Sequence, residues 1–197
     1  MKINNSIGYL FLLLGLGLMV SCADDDPDDH HDEEVISEVI LTFTPDNGEA
    51  PIVATWYDAD GEGTGAPVID EIELSVDMTY SLAITFANTL AGVKEDITGE
   101  IEEEADEHII FFGFTEGMFE DPVGNGNIDG RADAVNYMDQ DENGLPVGLE
   151  TTWTTGQQGE GEFRILLKHQ PDGLKSATSG VSVGGTDVDI VFNVNIQ

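Results

Sequence analysis

Tyr80-Ser81-Leu82-Ala83-Ile84-Thr85-Phe86 sets four large side chains on alternate positions, with small or polar ones between them. Successive side chains of a strand point to opposite faces, so this spacing predicts a strand with one face in a core and the other toward water. The pattern recurs on both sides of it. Upstream, Val39, Leu41 and Phe43 share a face, Ile52, Ala54 and Trp56 alternate with Val53, Thr55 and Tyr57, and Ile72, Leu74 and Val76 follow. Downstream come Leu149, Thr151 and Trp153, then Phe163, Ile165 and Leu167, then the long run Val188, Ile190, Phe192, Val194 and Ile196. Ile110, Phe112 and Phe114 alternate with Ile109 and Phe111, which predicts a central strand buried on both faces.

Turn clusters such as Pro45-Asp46-Asn47-Gly48, Asp60-Gly61-Glu62-Gly63 and Pro171-Asp172-Gly173 separate these runs. About eight strands with such punctuation predict an all-β fold, an antiparallel immunoglobulin-like β-sandwich over residues 35–197. The term is architectural, because the single cysteine excludes the Cys…Trp…Cys disulfide hallmark. One segment departs from period two. From Asp96 to His108, Ile97, Ile101 and Ala105 recur at spacing four among Glu100, Glu102, Glu103, Glu104, Asp106 and Glu107. This predicts one short helix with an acidic outer face and Asp96 as its N-cap. Gly99 and the like-charged pair Glu103 and Glu107 weaken it.

Asp and Glu number 40 against 6 Lys and Arg, a formal net charge of −34. Nucleic-acid binding by phosphate neutralisation needs clustered basic residues, so that class is excluded. Electrostatic docking on an anionic membrane is excluded likewise. The imbalance favours cationic partners.

The N-terminus carries an address. Lys2 precedes an apolar run, Ile7 to Val20, that falls short of the roughly 17–25 residues a bilayer-spanning helix needs. Residues 1–21 therefore read as a signal peptide. Met19-Val20-Ser21-Cys22 resembles the lipobox of bacterial lipoproteins, with Met19 where Leu is usual. The resemblance implies lipidation of Cys22 and a membrane anchor. Residues 22–34 form an acidic run without large apolar side chains, which predicts a disordered tether. An acidic run straight after the lipidated cysteine resembles the signal that sends some Gram-negative lipoproteins to the outer face of the outer membrane. His30 and His31 within it are candidate ligands for Zn²⁺, Cu²⁺ or Ni²⁺; the same run also fits a solvated spacer.

Asp139-Gln140-Asp141-Glu142-Asn143-Gly144-Leu145-Pro146-Val147-Gly148-Leu149-Glu150 fits D-x-[DN]-x-[DN]-G-x5-E. It resembles an EF-hand-type calcium loop, which implies Ca²⁺ ligation by Asp139, Asp141, Asn143, the Leu145 carbonyl and Glu150. Pro146, Gly148 and the strand-like residues after Glu150 depart from that family, so the resemblance is confined to the loop. Asn143-Gly144 is equally a type I′ turn signal, and the acids can then cap a hairpin. A second, degenerate loop places Asn125, Asn127, Asp129 and Asp133 at related spacing. Glu104, four residues before His108, would share its helix face and form a half-site for Zn²⁺ or Cu²⁺, with His169 as a further candidate.

No nucleophile elbow, H-E-x-x-H or phosphate-binding glycine loop is present, and no acid pair is singled out for glycoside hydrolysis. The expected role is a non-enzymatic binding or accessory lipoprotein of the outer membrane, with Ca²⁺ as a structural ion. Such proteins resemble the small lipoproteins that accompany outer-membrane nutrient receptors. Two alternatives stand beside it: capture of Zn²⁺ or Cu²⁺, and carbohydrate binding on a platform of Trp56, Tyr57 and Trp153.

Overall fold

A computed structural model describes residues 34–61 and 63–197. The signal segment, Cys22, His30 and His31 lie outside the described residues. The elements in chain order are β1 (Glu38–Pro45), β2 (Ile52–Tyr57), β3 (Val68–Ile69), β4 (Ile72–Leu74), β5 (Thr79–Asn88), β6 (Glu95–Asp96), α1 (Thr98–Glu103), β7 (His108–Phe114), β8 (Phe119–Asp121), β9 (Glu150–Thr155), β10 (Gly159–His169) and β11 (Gly185–Ile196). They form two sheets. The larger runs β3-β2-β1-β5-β9-β8 with β6 beside β5, and the smaller runs β4-β11-β10-β7. Their inner faces share one core, so the described residues form an all-β sandwich with one short helix.

The period-two faces fill that core. Val39, Leu41 and Phe43 of β1, Tyr80, Leu82, Ile84 and Phe86 of β5, and Phe163, Ile165 and Leu167 of β10 are all buried. Trp153 lies at the centre, with ring centroids 5.0 Å from Phe163, 5.0 Å from Phe119 and 5.4 Å from both Phe112 and Phe114. Its indole N–H donates to the Thr151 hydroxyl at 2.7 Å, which satisfies the one polar atom taken out of water. Trp153 therefore belongs to the core and forms no sugar platform with Trp56 and Tyr57.

Three expectations are corrected. The sandwich is not wholly antiparallel: β4 pairs parallel with β11. Asp70 and Glu71 carry the chain from the edge strand β3 of the larger sheet to β4 on the edge of the smaller one, a strand that switches sheets at a corner. Second, β7 is an edge strand, not a central one. Its outer face is buried because the β8–β9 connection lies over it. Asn127 N–H donates to the Phe112 carbonyl at 2.8 Å, and Ile128 packs on Ile109 and Phe111. Gly126, at φ +88°, brings this loop so close that a Cβ there would sit 2.0 Å from the Phe112 carbonyl oxygen.

Third, the helix is shorter than its pattern. It starts at Thr98, whose hydroxyl accepts from Phe86 N–H at 2.8 Å and thereby clamps the first turn to β5. Ile97, not Asp96, occupies the N-cap. The helix stops at Glu103, before the Glu103–Glu107 repulsion can build up, and His108 is taken into β7. Ile101 still faces the core, fully buried.

Trp153→Ala removes a side chain that packs against four aromatic rings. It should destabilise the protein by about 3–5 kcal/mol, read as a lower midpoint in chemical denaturation with the slope retained.

Candidate metal centre

The pairing of β7 with β10 runs from Phe163 opposite Phe114 to His169 opposite His108. Side chains directly opposite on one face of a sheet touch, and here the two imidazoles stack with centroids 4.6 Å apart and planes inclined by 6°. Both are buried.

The two rings are held differently. Nδ1 of His108 lies 3.1 Å from the Glu104 carbonyl oxygen. A carbonyl only accepts, so this bond puts the ring proton on Nδ1 and leaves the lone pair on Nε2. Burial pushes His108 down to about 4, opposed by the bond to Glu104 and reinforced by His169, so the ring is neutral near pH 7. Its Nε2 is buried and has no hydrogen-bond partner. The nearest acid oxygen is Oδ2 of Asp187, 3.9 Å away, beyond hydrogen-bond distance. His169 Nε2 meets the Glu107 carboxylate at 3.1 Å, which fixes that ring's orientation. Glu104, His108 and His169 each offer a ligand atom within 4.8 Å of the others. Sequence spacing grouped Glu104 with His108 for the wrong reason. They share no helix face; the turn after α1 carries Glu104 back beside the start of β7.

Further acids gather here. Burial pushes the Glu34 carboxyl up to about 7, and Glu100, Asp187 and Glu104 push the same way. Glu34, assigned from sequence to the tether, thus sits over the cluster. It also lines a cavity of about 520 Å³ together with Ile36, Asp58, Leu90 and Asp187. The sequence reading missed Asp187. In the β10–β11 pairing Leu167 faces Val188 and Lys168 faces Thr186, so Asp187 is the extra residue of a β-bulge. Bulges re-aim side chains, and this one turns the Asp187 carboxylate into the interior, where its side chain is fully buried. Lys168 ties the bulge down by donating to the Gly184 carbonyl at 3.0 Å and the Thr186 hydroxyl at 2.7 Å.

The calcium-like loop is organised otherwise. Oδ1 of Asp139 accepts from Gly148 N–H at 2.8 Å, and its Oδ2 accepts from Leu149 at 2.7 Å and Glu150 at 3.2 Å. Oδ1 of Asp141 accepts from Asn143 at 2.9 Å and Leu145 at 2.8 Å. The Leu145 carbonyl accepts from Asp141 N–H. Oδ2 of Asp141 faces the Lys175 ammonium at 2.9 Å, both side chains fully buried. Lys175 also donates to the Ala105 carbonyl at 2.6 Å. The oxygens expected to hold Ca²⁺ are engaged by N–H donors and an ammonium group, while Gly144 at φ +76° makes the hairpin turn. Asn143 and Glu150 stay exposed.

The degenerate loop does not converge either. Asn127 points inward, accepting from Phe112 N–H at 3.0 Å and donating to the Tyr137 hydroxyl at 2.9 Å. Asn125 and Asp129 meet each other at the surface at 3.4 Å, and Asp133 lies apart on an exposed turn. No family model matches the chain, and no curated protein or solved structure is significantly similar to it.

Burial would raise the Asp141 carboxyl, but hydrogen bonds from Lys175, Leu145 and Asn143 outweigh it and hold the group below its ordinary value. Burial pulls Lys175 down despite Asp141, so the ammonium loses part of what the carboxylate gains. The stability Asp141 contributes is present above about pH 4 and is lost as pH falls through its lower folded value. Asp141→Ala strands the buried ammonium and should cost about 3–5 kcal/mol at neutral pH. Asp141→Leu combined with Lys175→Met should recover most of that loss. Urea titrations across the acid range measure both, with a flatter acid limb in the variants.

Proposed function

We propose that the chain is an exported lipoprotein, anchored through Cys22 at the outer membrane, that binds a transition-metal ion, Zn²⁺ or Cu²⁺, at Glu104, His108 and His169. The observation that carries this reading is the buried Nε2 of His108. It is an acceptor lone pair with no hydrogen-bond partner, on a ring oriented by a backbone carbonyl. Metal-ligating histidines are oriented in this way, with the other ring nitrogen donating to an oxygen. An uncompensated buried acceptor costs about 1–3 kcal/mol, and a bound cation removes that penalty. Two imidazoles with carboxylate suit Zn²⁺ or Cu²⁺, whereas Ca²⁺ asks for six to eight oxygens. The lipobox-like Met19–Cys22 and the acidic run behind it support the address.

Calorimetry with Zn²⁺ on the full mature chain tests the site, in a His30→Ala, His31→Ala background that removes the tether's own histidines. The expected result is one ion per chain and a raised melting temperature. His108→Ala or His169→Ala should weaken binding by more than the roughly 10–100-fold that an outer-shell partner is worth. Asp139→Asn should leave it unchanged. Zn²⁺ binding that survives both histidine replacements, or no binding at all, refutes the site. Mass spectrometry of the membrane-extracted protein checks the anchor: the chain should begin at Cys22 and carry acyl groups, and Cys22→Ala should release it from membranes.

A further inference from the structure

We infer, resting on the metal reading above, that Lys175, clamped by Asp141, is a positioning residue of this site, so that the hairpin of the calcium-like motif sets the metal affinity of a centre it does not touch. Glu104 lies in the stretch between α1 and β7, residues 104–107, where no strand or helix ladder fixes the backbone. Its place depends on separate bonds. The Glu104 carbonyl accepts from Glu107 N–H at 2.9 Å and is bonded to Nδ1 of His108. The Glu107 carbonyl accepts from Gln170 N–H at 2.6 Å, and the Glu107 carboxylate meets His169. The Lys175 ammonium takes the next carbonyl after Glu104, that of Ala105, at 2.6 Å. One short stretch thus carries a proposed ligand and the oxygens that orient both histidine rings, and Lys175 holds it in the middle.

Lys175 is itself a fixed point. A lysine in open water keeps its rotamer freedom and holds nothing in place; here both side chains of the Asp141–Lys175 pair are fully buried, with the ammonium 2.9 Å from Oδ2 of Asp141. Oδ1 of Asp141 accepts from Asn143 and Leu145, and the Asp141 carbonyl accepts from Gly144 N–H at 3.0 Å. Asp139 fastens the same hairpin to the start of β9 through Leu149 and Glu150 N–H. The hairpin therefore moves with the larger sheet, whereas His108 and His169 belong to the smaller one, and Lys175 links the two. Ligands must be held within about 0.5 Å of their productive positions by such supporting bonds. A brace that favours the binding geometry raises the affinity for the ion, and by linkage the bound ion must steady the brace by the same factor.

Zn²⁺ titration and Co²⁺ absorption on the full mature chain, in the same tether-histidine background, test the role of Lys175. Asp141→Leu combined with Lys175→Met keeps the site filled and removes the bond to the Ala105 carbonyl. This double variant should still take one ion per chain, bind Zn²⁺ about 10–100-fold more weakly and show shifted Co²⁺ d–d bands. Leu41→Ala, a truncation in the buried face of β1, also lowers stability but should leave affinity and spectrum as they were, which separates positioning from stability. Hydrogen exchange needs no variant. Zn²⁺ should slow exchange of the Asn143 and Leu145 amides, which donate to Asp141, by about tenfold. It should leave the Glu49 amide, bonded to Asn47 in a remote turn, unchanged. Where the double variant fails to fold, the exchange result decides. Wild-type affinity and spectrum in the double variant, an equal loss of affinity in Leu41→Ala, or hairpin amides that ignore Zn²⁺ overturns the positioning role and leaves the metal site standing. Absence of histidine-dependent binding before any change at Asp141 or Lys175 overturns the metal reading beneath it.

Discussion

The antiparallel register of β7 against β10 brings the two histidines together and sets the face on which the core aromatics lie. Phe112 and Phe114 point inward from the same strand whose first residue is His108, and Phe163, Ile165 and Leu167 do the same from the strand that ends in His169. Side-chain direction alternates strictly along a strand, so a slip by one residue would turn the opposing set to the other face. It would also break the stacking of His108 on His169. The hydrophobic core therefore enforces the register, and the register makes the imidazole pair. Because Trp153 packs on Phe112, Phe114 and Phe163 together, that enforcement reaches across both sheets.

A second constraint works at the end of the same strands. The turn after α1 carries the Ala105 carbonyl to Lys175, the Glu104 carbonyl to His108, and the Glu107 carboxylate to His169. Gln170 N–H closes on the Glu107 carbonyl at 2.6 Å. Residues 104–107 are thus pinned by three separate elements, although no regular hydrogen-bond ladder holds them. The buried Asp141–Lys175 pair extends this brace to the β8–β9 connection. Its net contribution is modest because both charges lost water, but either charge alone would be costly, which makes the arrangement all-or-none.

Periodicity made the larger strands readable, because alternation is a local signal that each strand carries within itself. Tyr80–Phe86 and Val188–Ile196 show this most clearly. The edge position of β7 was not readable: its second face is covered by residues 126–128, and no local pattern announces which loop will lie on which strand. The helix was overextended because Ile97, Ile101 and Ala105 keep helical spacing while the backbone past Glu103 answers to tertiary bonds. The calcium-like motif is ambiguous for a related reason. Asp-x-Asp-x-Asn-Gly describes residues able to turn oxygens inward, whether toward a metal ion or toward backbone N–H groups, and the cation that meets Asp141 is Lys175, from another part of the chain. At the histidine site, the residue types were legible and their meeting was not. Asp187 was invisible because a bulge shifts the face of one residue without leaving a mark in composition.

The charge excess takes on a different meaning once the cations are placed. Four of the five Lys and Arg among the described residues have polar partners at short range. Lys94 pairs with Glu38, Arg164 holds Asp189 through two bonds, Arg131 lies 5.7 Å from the Phe111 ring centroid, and Lys168 and Lys175 are buried against backbone carbonyls. Glu100, Asp187 and Glu104 all act on Glu34 beside the histidine pair. A proton on His108 is opposed by burial, whereas a divalent ion, on the reading proposed above, would use the imidazole lone pair that burial leaves free of a proton.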